Sequence, residues 1–125
     1  MKVKGKGVFL SGPMTGRQYF NIVAFAEAHA KLAEMGARNV YNPALAWLND
    51  EKSAERTHEE WMRVCVTEML RRRRKYADDL VLDSCEDLYD VVVQLPDWET
   101  SDGAVIEATV ARACGIPCVR IEDCE

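Results

Sequence analysis

The sequence of 125 residues has the composition of an ordinary globular protein, with 48% hydrophobic and 30% charged residues. Its formal net charge of −5 argues against general binding to polyanions such as nucleic acids. No apolar run approaches the roughly 20 residues of a membrane span, and the N-terminus has no signal-peptide pattern. We therefore expect one cytoplasmic domain, residues 1–125, with no membrane or nucleic-acid partner.

The cysteines are five in number and include no Cys-x-x-Cys pair, which predicts reduced thiols with structural roles. With two histidines besides, the sequence has no spacing typical of a zinc site. We expect neither a metal nor a cofactor.

An apolar strand is predicted at 7–10, and the loop that follows it carries Gly12 and Gly16. Glycines let the chain turn sharply and let backbone N–H groups approach a ligand. The loop, Ser-Gly-Pro-Met-Thr-Gly, matches neither the Walker pattern nor Gly-x-Gly-x-x-Gly. It is therefore either a phosphate cradle or a plain turn.

The next segments predict a helix at 22–35 with Asn21 as its N-cap, and a second strand at 38–41. That strand ends at the sequence Asn-Pro-Ala, which should open near the same edge of the sheet as the first loop. The polar stretch 46–56 predicts an irregular connection.

A long helix is predicted at 58–75, where Thr57 and Glu60 have the spacing of a capping box. The basic run 71–75 would end this helix, since cations are favourable at a helix C-terminus. The run is either a solvated helix end or an anion-binding patch. Residues 76–86 either continue the helix or form a loop.

The last third predicts a strand at 88–95, a helix at 103–114 and a strand at 116–121. Strands that alternate with helices predict an α/β fold with a parallel sheet and right-handed crossovers.

The helix at 103–114 carries a carboxylate, Glu107, near the middle of a broad apolar face that includes Ile106 and Ala108. A carboxylate on the core side of a helix is unfavourable unless it is paired, hydrogen-bonded or in a ligand pocket. Glu107 is therefore either satisfied structurally by its neighbours or part of a functional site.

Several short motifs, taken together and in order, resemble the nucleoside 2-deoxyribosyltransferase-like superfamily, and within it a small, often phage-encoded branch. The motifs are residues 8–16, Asn21 with Phe25, 36–44, 61–63, and 95–104 with Glu107. The resemblance covers most of the chain apart from about 48–56 and 70–86. It implies a flavodoxin-like three-layer sandwich, in which helices cover both faces of a parallel sheet of about four to five strands.

The resemblance also implies cleavage of an N-glycosidic bond, with Glu107 at the position of the nucleophile. In members that act on 5′-monophosphates, a serine and a glycine at the positions of Ser101 and Gly103 hold the phosphate. Independently, the backbone N–H groups of Gly103, Ala104 and Val105 open a helix, where an anion is favoured. Gly12 and Gly16 would line the other side of this pocket.

Further candidates for contacts with the sugar or base are Phe9, Asn42, Asp97 and Trp98. Trp98 is as compatible with packing on its own loop or on a dimer partner as with stacking on a base.

The chain departs from the pattern of this superfamily at two positions. Many members have a tyrosine where this chain has Phe9, and its hydroxyl contacts the nucleophile. Many also have an aspartate near the leaving group where this chain has Cys65. Glu68, Asp78 or Asp79 would replace that aspartate only in a different helix register.

We therefore expect a hydrolase of (deoxy)nucleoside 5′-monophosphates that releases the free base and (deoxy)ribose 5-phosphate. The alternatives are a deoxyribosyltransferase, a NAD-type glycosidase, a nucleotide-binding or regulatory protein without catalysis, and an interaction module that uses Trp98 and 71–75. The expected partner is a small-molecule nucleotide. The resemblance further suggests a homodimer or higher homo-oligomer.

Overall fold

The structure is a computed structural model that describes residues 1–77 and 80–125, with side chains described outside 74–84. In chain order its elements are β1 (Gly7–Ser11), α1 (Ile22–Glu34), β2 (Asn39–Tyr41), α2 (Pro43–Asn49), α3 (His58–Met69), β3 (Arg72–Ala77), β4 (Leu80–Asp87), β5 (Val91–Gln94), α4 (Asp102–Ala113) and β6 (Cys118–Arg120).

The central sheet has four parallel strands in the order β2-β1-β5-β6. Numbered by their own order along the chain, these four strands are arranged 2-1-3-4. This matches the first four positions of the flavodoxin-like strand order 2-1-3-4-5. Helices pack on this sheet from both sides, so the predicted three-layer α/β class is confirmed. In such sheets the ligand site lies beyond the carboxyl ends of the strands.

The alternation of side chains along β1 separates two apolar cores. Val8 and Leu10 pack on the face covered by α1, whose Phe25 and Leu32 are fully buried. Phe9 lies on the opposite face, in a core to which α3 and α4 contribute. Because side chains two residues apart in a strand lie on the same face, Ser11 shares the face of Phe9 and lies beneath α4.

The predicted helix at 58–75 is wrong beyond Met69. Its start is confirmed, because Thr57 Oγ1 accepts a hydrogen bond from the backbone N–H of Glu60 at 3.1 Å. The basic run instead enters β3, which pairs with β4 in a separate antiparallel sheet. Residues 76–77 and 80–86, predicted as helix or loop, belong to these two strands.

Opposite charges explain part of this difference. Arg72 Nε lies 3.2 Å from Asp87 Oδ1, and Arg73 Nε lies 2.7 Å from Glu86 Oε1. Arginine on its own favours a helix, but here the partner strand supplies both carboxylates and backbone hydrogen bonds. The basic run is therefore not a solvated helix end, and its first arginines are already paired.

The stretch 46–56, predicted to be irregular, contains the end of α2 and a short 3-10 helix at Ser53–Glu55. Asn42 Oδ1 accepts hydrogen bonds from the N–H groups of Ala44 and Leu45, and Pro43 occupies the first turn of α2. This is a favourable helix start. Asn21, by contrast, makes no side-chain cap on α1: its backbone is left-handed, with a φ of +61°, and its Nδ2 donates to the carbonyl of Pro13 at 3.0 Å.

All five cysteines are free thiols. Within the described ranges, no helix has both the length and the apolar character needed to cross a membrane. Two carboxylates considered in the sequence analysis, Asp78 and Asp79, lie outside the described residues.

Gly7 should be essential for the packing of β1, because a Cβ there would overlap the backbone carbonyl oxygen of Leu88. We expect Gly7→Ala to reduce the free energy of unfolding by about 3 kcal/mol or more, measured by urea denaturation. Gly115→Ala is the control. Gly115 has a φ of +77° but open space around it, so only backbone strain of about 1 kcal/mol applies. Equal losses in the two variants would contradict the steric argument.

Candidate functional site

A cleft lies beyond the carboxyl ends of β1 and β2. Its walls come from the loop after β1, the first residue of α2, one face of α3 and the first two turns of α4. The cleft is open to solvent, and its cavity volume is about 60 Å³. A cleft at this edge of the sheet is where open α/β folds usually place a small-molecule site.

Glu107 projects from α4 into this cleft and is only 7% exposed. Ser11 Oγ donates a hydrogen bond of 2.7 Å to its Oε1. Burial raises the pKa of Glu107 from 4.5 to about 7, and the bond from Ser11 opposes that rise. The carboxylate therefore gains and loses its proton near neutral pH, which is the range useful for catalysis.

The buried face of α4 is narrower than the sequence predicted. Ala104, Glu107, Ala108 and Ala111 are buried, whereas Ile106 is 45% exposed. The prediction that Glu107 lies on the core side is confirmed. The exposed Ile106 shows that apolar character alone does not fix which residues face the sheet.

Ser11, which holds Glu107, was not among the predicted site residues. It ends β1 and is 1% exposed. Phe9, two residues earlier, is fully buried and does not line the cleft. Its ring stacks on Tyr41 with centroids 5.0 Å apart and meets Tyr89 edge-on at 5.7 Å. The alternation of β1 could have indicated Ser11, since it shares a sheet face with Phe9 and lies at the ligand-binding edge.

A second polar side chain lies on the same sheet face, beside Ser11. Gln94 is the register partner of Ser11 in β5 and is 3% exposed. Its Nε2 has no hydrogen-bond partner in the part of the chain that the structure describes. The face of the sheet beneath α4 thus carries two buried donors, the Ser11 hydroxyl and Gln94 Nε2.

The N-terminus of α4 forms one end of the cleft, through Ser101, Gly103 and Ala104. Ser101 is the N-cap, and its Oγ accepts a hydrogen bond of 3.2 Å from the N–H of Ala104. The helix therefore begins at Asp102, one residue before the predicted start. The N–H of Val105 donates to the carbonyl of Ser101 and is not free for a ligand.

Gly103 also sets the distance between α3 and α4. A Cβ at this position would lie 3.1 Å from Met62 Sδ, closer than side-chain packing normally allows. The glycine therefore lets the two helices approach across the cleft while it leaves its own N–H near the pocket.

The α3 wall of the cleft consists of one stripe along that helix. It contains His58, Trp61, Met62 and Cys65. Their spacing of three, four and seven residues places them on one helical face. The resemblance includes the motif at 61–63, but neither His58 nor Met62 was among the predicted site residues.

Cys65 occupies the place where the resemblance expects an aspartate. It is 3% exposed, and burial raises the pKa of its thiol, with the negative charge of Glu107 adding to the effect. Glu68 does not line the cleft. Its Oε1 accepts a 2.6 Å hydrogen bond from the Tyr89 hydroxyl and lies 3.5 Å from Arg71 Nη1. Glu68 therefore does not replace the expected aspartate.

The comparisons with known proteins place the chain in a family. Its residues 6–78 and 75–120 match the family described as "Domain of unknown function (DUF4406)". The chain belongs to this family. No curated protein and no solved structure gives a significant match. Because the description of the DUF4406 family carries no activity, the function has to be inferred from the cleft.

Besides Phe9, four predicted site residues do not line the cleft: Gly16, Asn42, Asp97 and Trp98. Gly16 has a φ of +78°, which fits a turn residue. Asn42 caps α2 and lies 3.4 Å from a ring nitrogen of His29. Trp98 is half-buried, and its indole Nε1 has no hydrogen-bond partner among the described residues.

Arg17 was not predicted, yet it joins the loops on the two sides of the site. Its Nη1 lies 3.6 Å from Asp97 Oδ2, and its Nη2 donates to Thr100 Oγ1 at 3.1 Å. Thr100 directly precedes Ser101, so a guanidinium lies close to the N-terminus of α4.

The raised pKa of Glu107 predicts a specific pH dependence of stability. A group whose pKa is higher in the folded state stabilises the protein below its unfolded pKa, and that stability is lost as the pH rises through the folded pKa. The window here runs from 4.5 to about 7. From pH 4 to pH 8, we expect the free energy of unfolding of Glu107→Gln to rise by about 3 kcal/mol relative to that of wild type, measured by urea denaturation.

Glu99→Gln is the control for this measurement, since Glu99 is exposed. Its stability relative to wild type should stay nearly constant across the same range. A constant difference for Glu107→Gln as well would contradict the raised pKa.

Proposed function

We propose that the protein hydrolyses the N-glycosidic bond of (deoxy)nucleoside 5′-monophosphates. The products would be the free base and (deoxy)ribose 5-phosphate. One observation carries the proposal: a buried carboxylate, held by Ser11, lines the same cleft as the N-terminus of α4. A carboxylate can attack the anomeric carbon of a sugar, and the N-terminus of a helix favours a phosphate.

In the first step, an oxygen of Glu107 attacks the anomeric carbon as the bond to the base breaks. The electron pair of that bond leaves with the base, and the sugar carbon passes through an oxocarbenium-like state. The bond from Ser11 engages Oε1, so we assign the attack to Oε2. A water molecule then hydrolyses the ester, which releases the sugar 5-phosphate and restores the carboxylate.

The phosphate would bind at Ser101 and Gly103, because the first N–H groups of a helix have no partner within it. The Ser101 hydroxyl now accepts from the N–H of Ala104. A bound phosphate oxygen would take over that N–H and accept from the hydroxyl as well. The Arg17 guanidinium beside Thr100 adds positive charge nearby, whereas the exposed carboxylate of Asp102 opposes it.

A nucleotide-binding protein without catalysis is the second candidate. It is favoured by Cys65, because a thiol with a raised pKa stands where the resemblance expects a proton-donating carboxyl group. The ring of Phe9 likewise has no hydroxyl to contact Glu107. Transfer of the sugar to a second base remains the third candidate, and the expected homodimer stays a prediction.

The hydrolase proposal is tested by incubating the protein with a panel of nucleoside 5′-monophosphates and measuring free base by chromatography. We expect release by wild type and none above background by Glu107→Ala, since the nucleophile is then missing. Because only the ionised carboxylate attacks, the wild-type rate should rise as the pH passes about 7. Glu99→Ala, at an exposed position of the preceding loop, should behave like wild type.

Binding of a nucleotide without turnover, equal in wild type and Glu107→Ala, would refute the hydrolase and support the binding protein. Appearance of a new nucleotide on addition of a second free base would support transfer.

The phosphate assignment is tested by Ser101→Asp. Aspartate is also a good N-cap, so α4 should stay folded, but its charge would repel the phosphate. We expect kcat/KM for the monophosphate to fall about tenfold or more relative to that for the free nucleoside. Ser101→Asn is the matched control, because asparagine caps a helix without adding charge. An unchanged preference in Ser101→Asp would refute the assignment.

A further inference from the structure

We propose that Gln94 is a positioning residue for Glu107, and that its side-chain amide donates a second hydrogen bond to the carboxylate when Glu107 ionises. The contact itself involves only this chain and is measured without a substrate. Its part in catalysis rests on the proposed hydrolase function, in which Glu107 is the nucleophile.

The strand register places Gln94 beside the residue that already holds Glu107. Gln94 in β5 and Ser11 in β1 are register partners, and both are buried on the sheet face beneath α4. Neighbouring strands lie about 4.8 Å apart. The amide nitrogen of a glutamine is two bonds further from its Cα than a serine hydroxyl is. The Gln94 amide can therefore extend further from the sheet, towards the helix, than the Ser11 hydroxyl does.

Two contacts place α4 over β5. Glu107 accepts its hydrogen bond from Ser11 of β1. The carbonyl oxygen of the next residue, Ala108, accepts from Cys118 Sγ of β6 at 3.9 Å. Since β5 lies between β1 and β6 in the sheet, this part of the helix passes over β5. Gln94, level with Ser11 in the register, therefore lies beneath α4 on the strand next to the one that holds Glu107.

The amide and the carboxylate each lack what the other offers. Gln94 is 3% exposed, and its Nε2 has no acceptor among the described residues, which is unfavourable for a buried donor. Glu107 has one described donor, Ser11, although a carboxylate offers about four acceptor sites. Burial raises the pKa of Glu107 to about 7 against the effect of Ser11, so this one bond does not replace the lost hydration.

The other strand neighbour of Gln94 supplies no acceptor. Arg120 of β6 is its register partner there, but a guanidinium carries donors only, and Arg120 Nε lies 3.2 Å from Asp123 Oδ2. The Ser11 hydroxyl oxygen is a second acceptor nearby. An ionised carboxylate accepts a hydrogen bond about twice as strong as a neutral group does, so the charged Glu107 is the preferred partner. The contact requires a rotation of the Gln94 side chain.

A bond from Gln94 is compatible with the proposed attack on the sugar. One carboxylate oxygen accepts two hydrogen bonds, so Oε1 can accept from Ser11 and Gln94 together, since both belong to the sheet. Oε2 is then left for the attack. Both donors favour the ionised form of Glu107, which is the form that attacks and the form that hydrolysis of the ester restores.

Among the described side chains, Tyr41 of β2 and Cys65 of α3 are titratable groups that interact with the charge of Glu107. Burial raises the pKa of both, so they stay protonated at neutral pH. His58 of α3 lines the same cleft. Because all three are present in wild type and in Glu107→Gln, a difference between these two proteins reports on Glu107.

The test follows the Gln94 amide by NMR in ¹⁵N-labelled protein, with its signals assigned through the backbone of residue 94. We expect the Nε2 protons to shift downfield in wild type as Glu107 ionises, because a bond to a charged acceptor forms. They should stay nearly unshifted over the same pH range in Glu107→Gln. Gln18 is the other glutamine of the chain and is exposed, so its amide is the internal control and should not respond.

A second measurement uses Gln94→Met, since methionine has a similar length and no donor. The pKa of the Glu107 carboxyl, followed by ¹³C NMR, should rise by about 1 or more relative to wild type. In the hydrolysis assay the acidic limb of the pH–rate profile should move to higher pH by the same amount. Gln18→Met is the matched control and should change neither, and urea denaturation shows that both variants are folded.

The outcomes distinguish this contact from the proposed hydrolase. A Gln94 amide that does not titrate, or that titrates equally in Glu107→Gln, overturns the contact even if wild type releases base. Titration that disappears in Ser11→Ala also overturns it, because the serine hydroxyl would then be the acceptor. An unchanged pKa of Glu107 in folded Gln94→Met does the same. A titrating amide in a protein that releases no base supports the contact and overturns the hydrolase alone.

Discussion

The hydrogen bond of 2.7 Å from Ser11 Oγ to Glu107 Oε1 joins the first strand of the sheet to its last helix. It stabilises a buried carboxylate at this position, because it replaces part of the hydration that burial removes. The replacement is incomplete, so the pKa of Glu107 stays raised, at about 7. The same bond engages one carboxylate oxygen of Glu107, and the residue lines the cleft.

The rest of the site depends on how closely α3 and α4 approach each other above the sheet. Gly103 permits this approach because it brings no side chain against Met62. On the sheet side, Phe9, Tyr41 and Tyr89 form an aromatic cluster on the same face of the sheet as Ser11. The N-terminus of α4 and the α3 wall thus come together at one cleft, which Glu107 also lines.

Cys65 changes both the charge and the acidity of the cleft, compared with an aspartate at the same position. A carboxylate at this depth, so close to Glu107, would raise the pKa of both groups further, since like charges disfavour each other in a buried site. A thiol avoids that repulsion but supplies no acid near neutral pH.

By itself the sequence determined the α/β class, the strands and helices of the central sheet, and the position of Glu107 on the core side of α4. These follow from local periodicity and from loops at strand ends, which each segment carries in its own residues. The sequence could not determine that Arg72 and Arg73 enter a strand, because their partners Asp87 and Glu86 lie more than ten residues away. Nor could the sequence place the Ser11 hydroxyl on Glu107 or bring α3 to the cleft, because β1, α3 and α4 meet only through packing between distant segments.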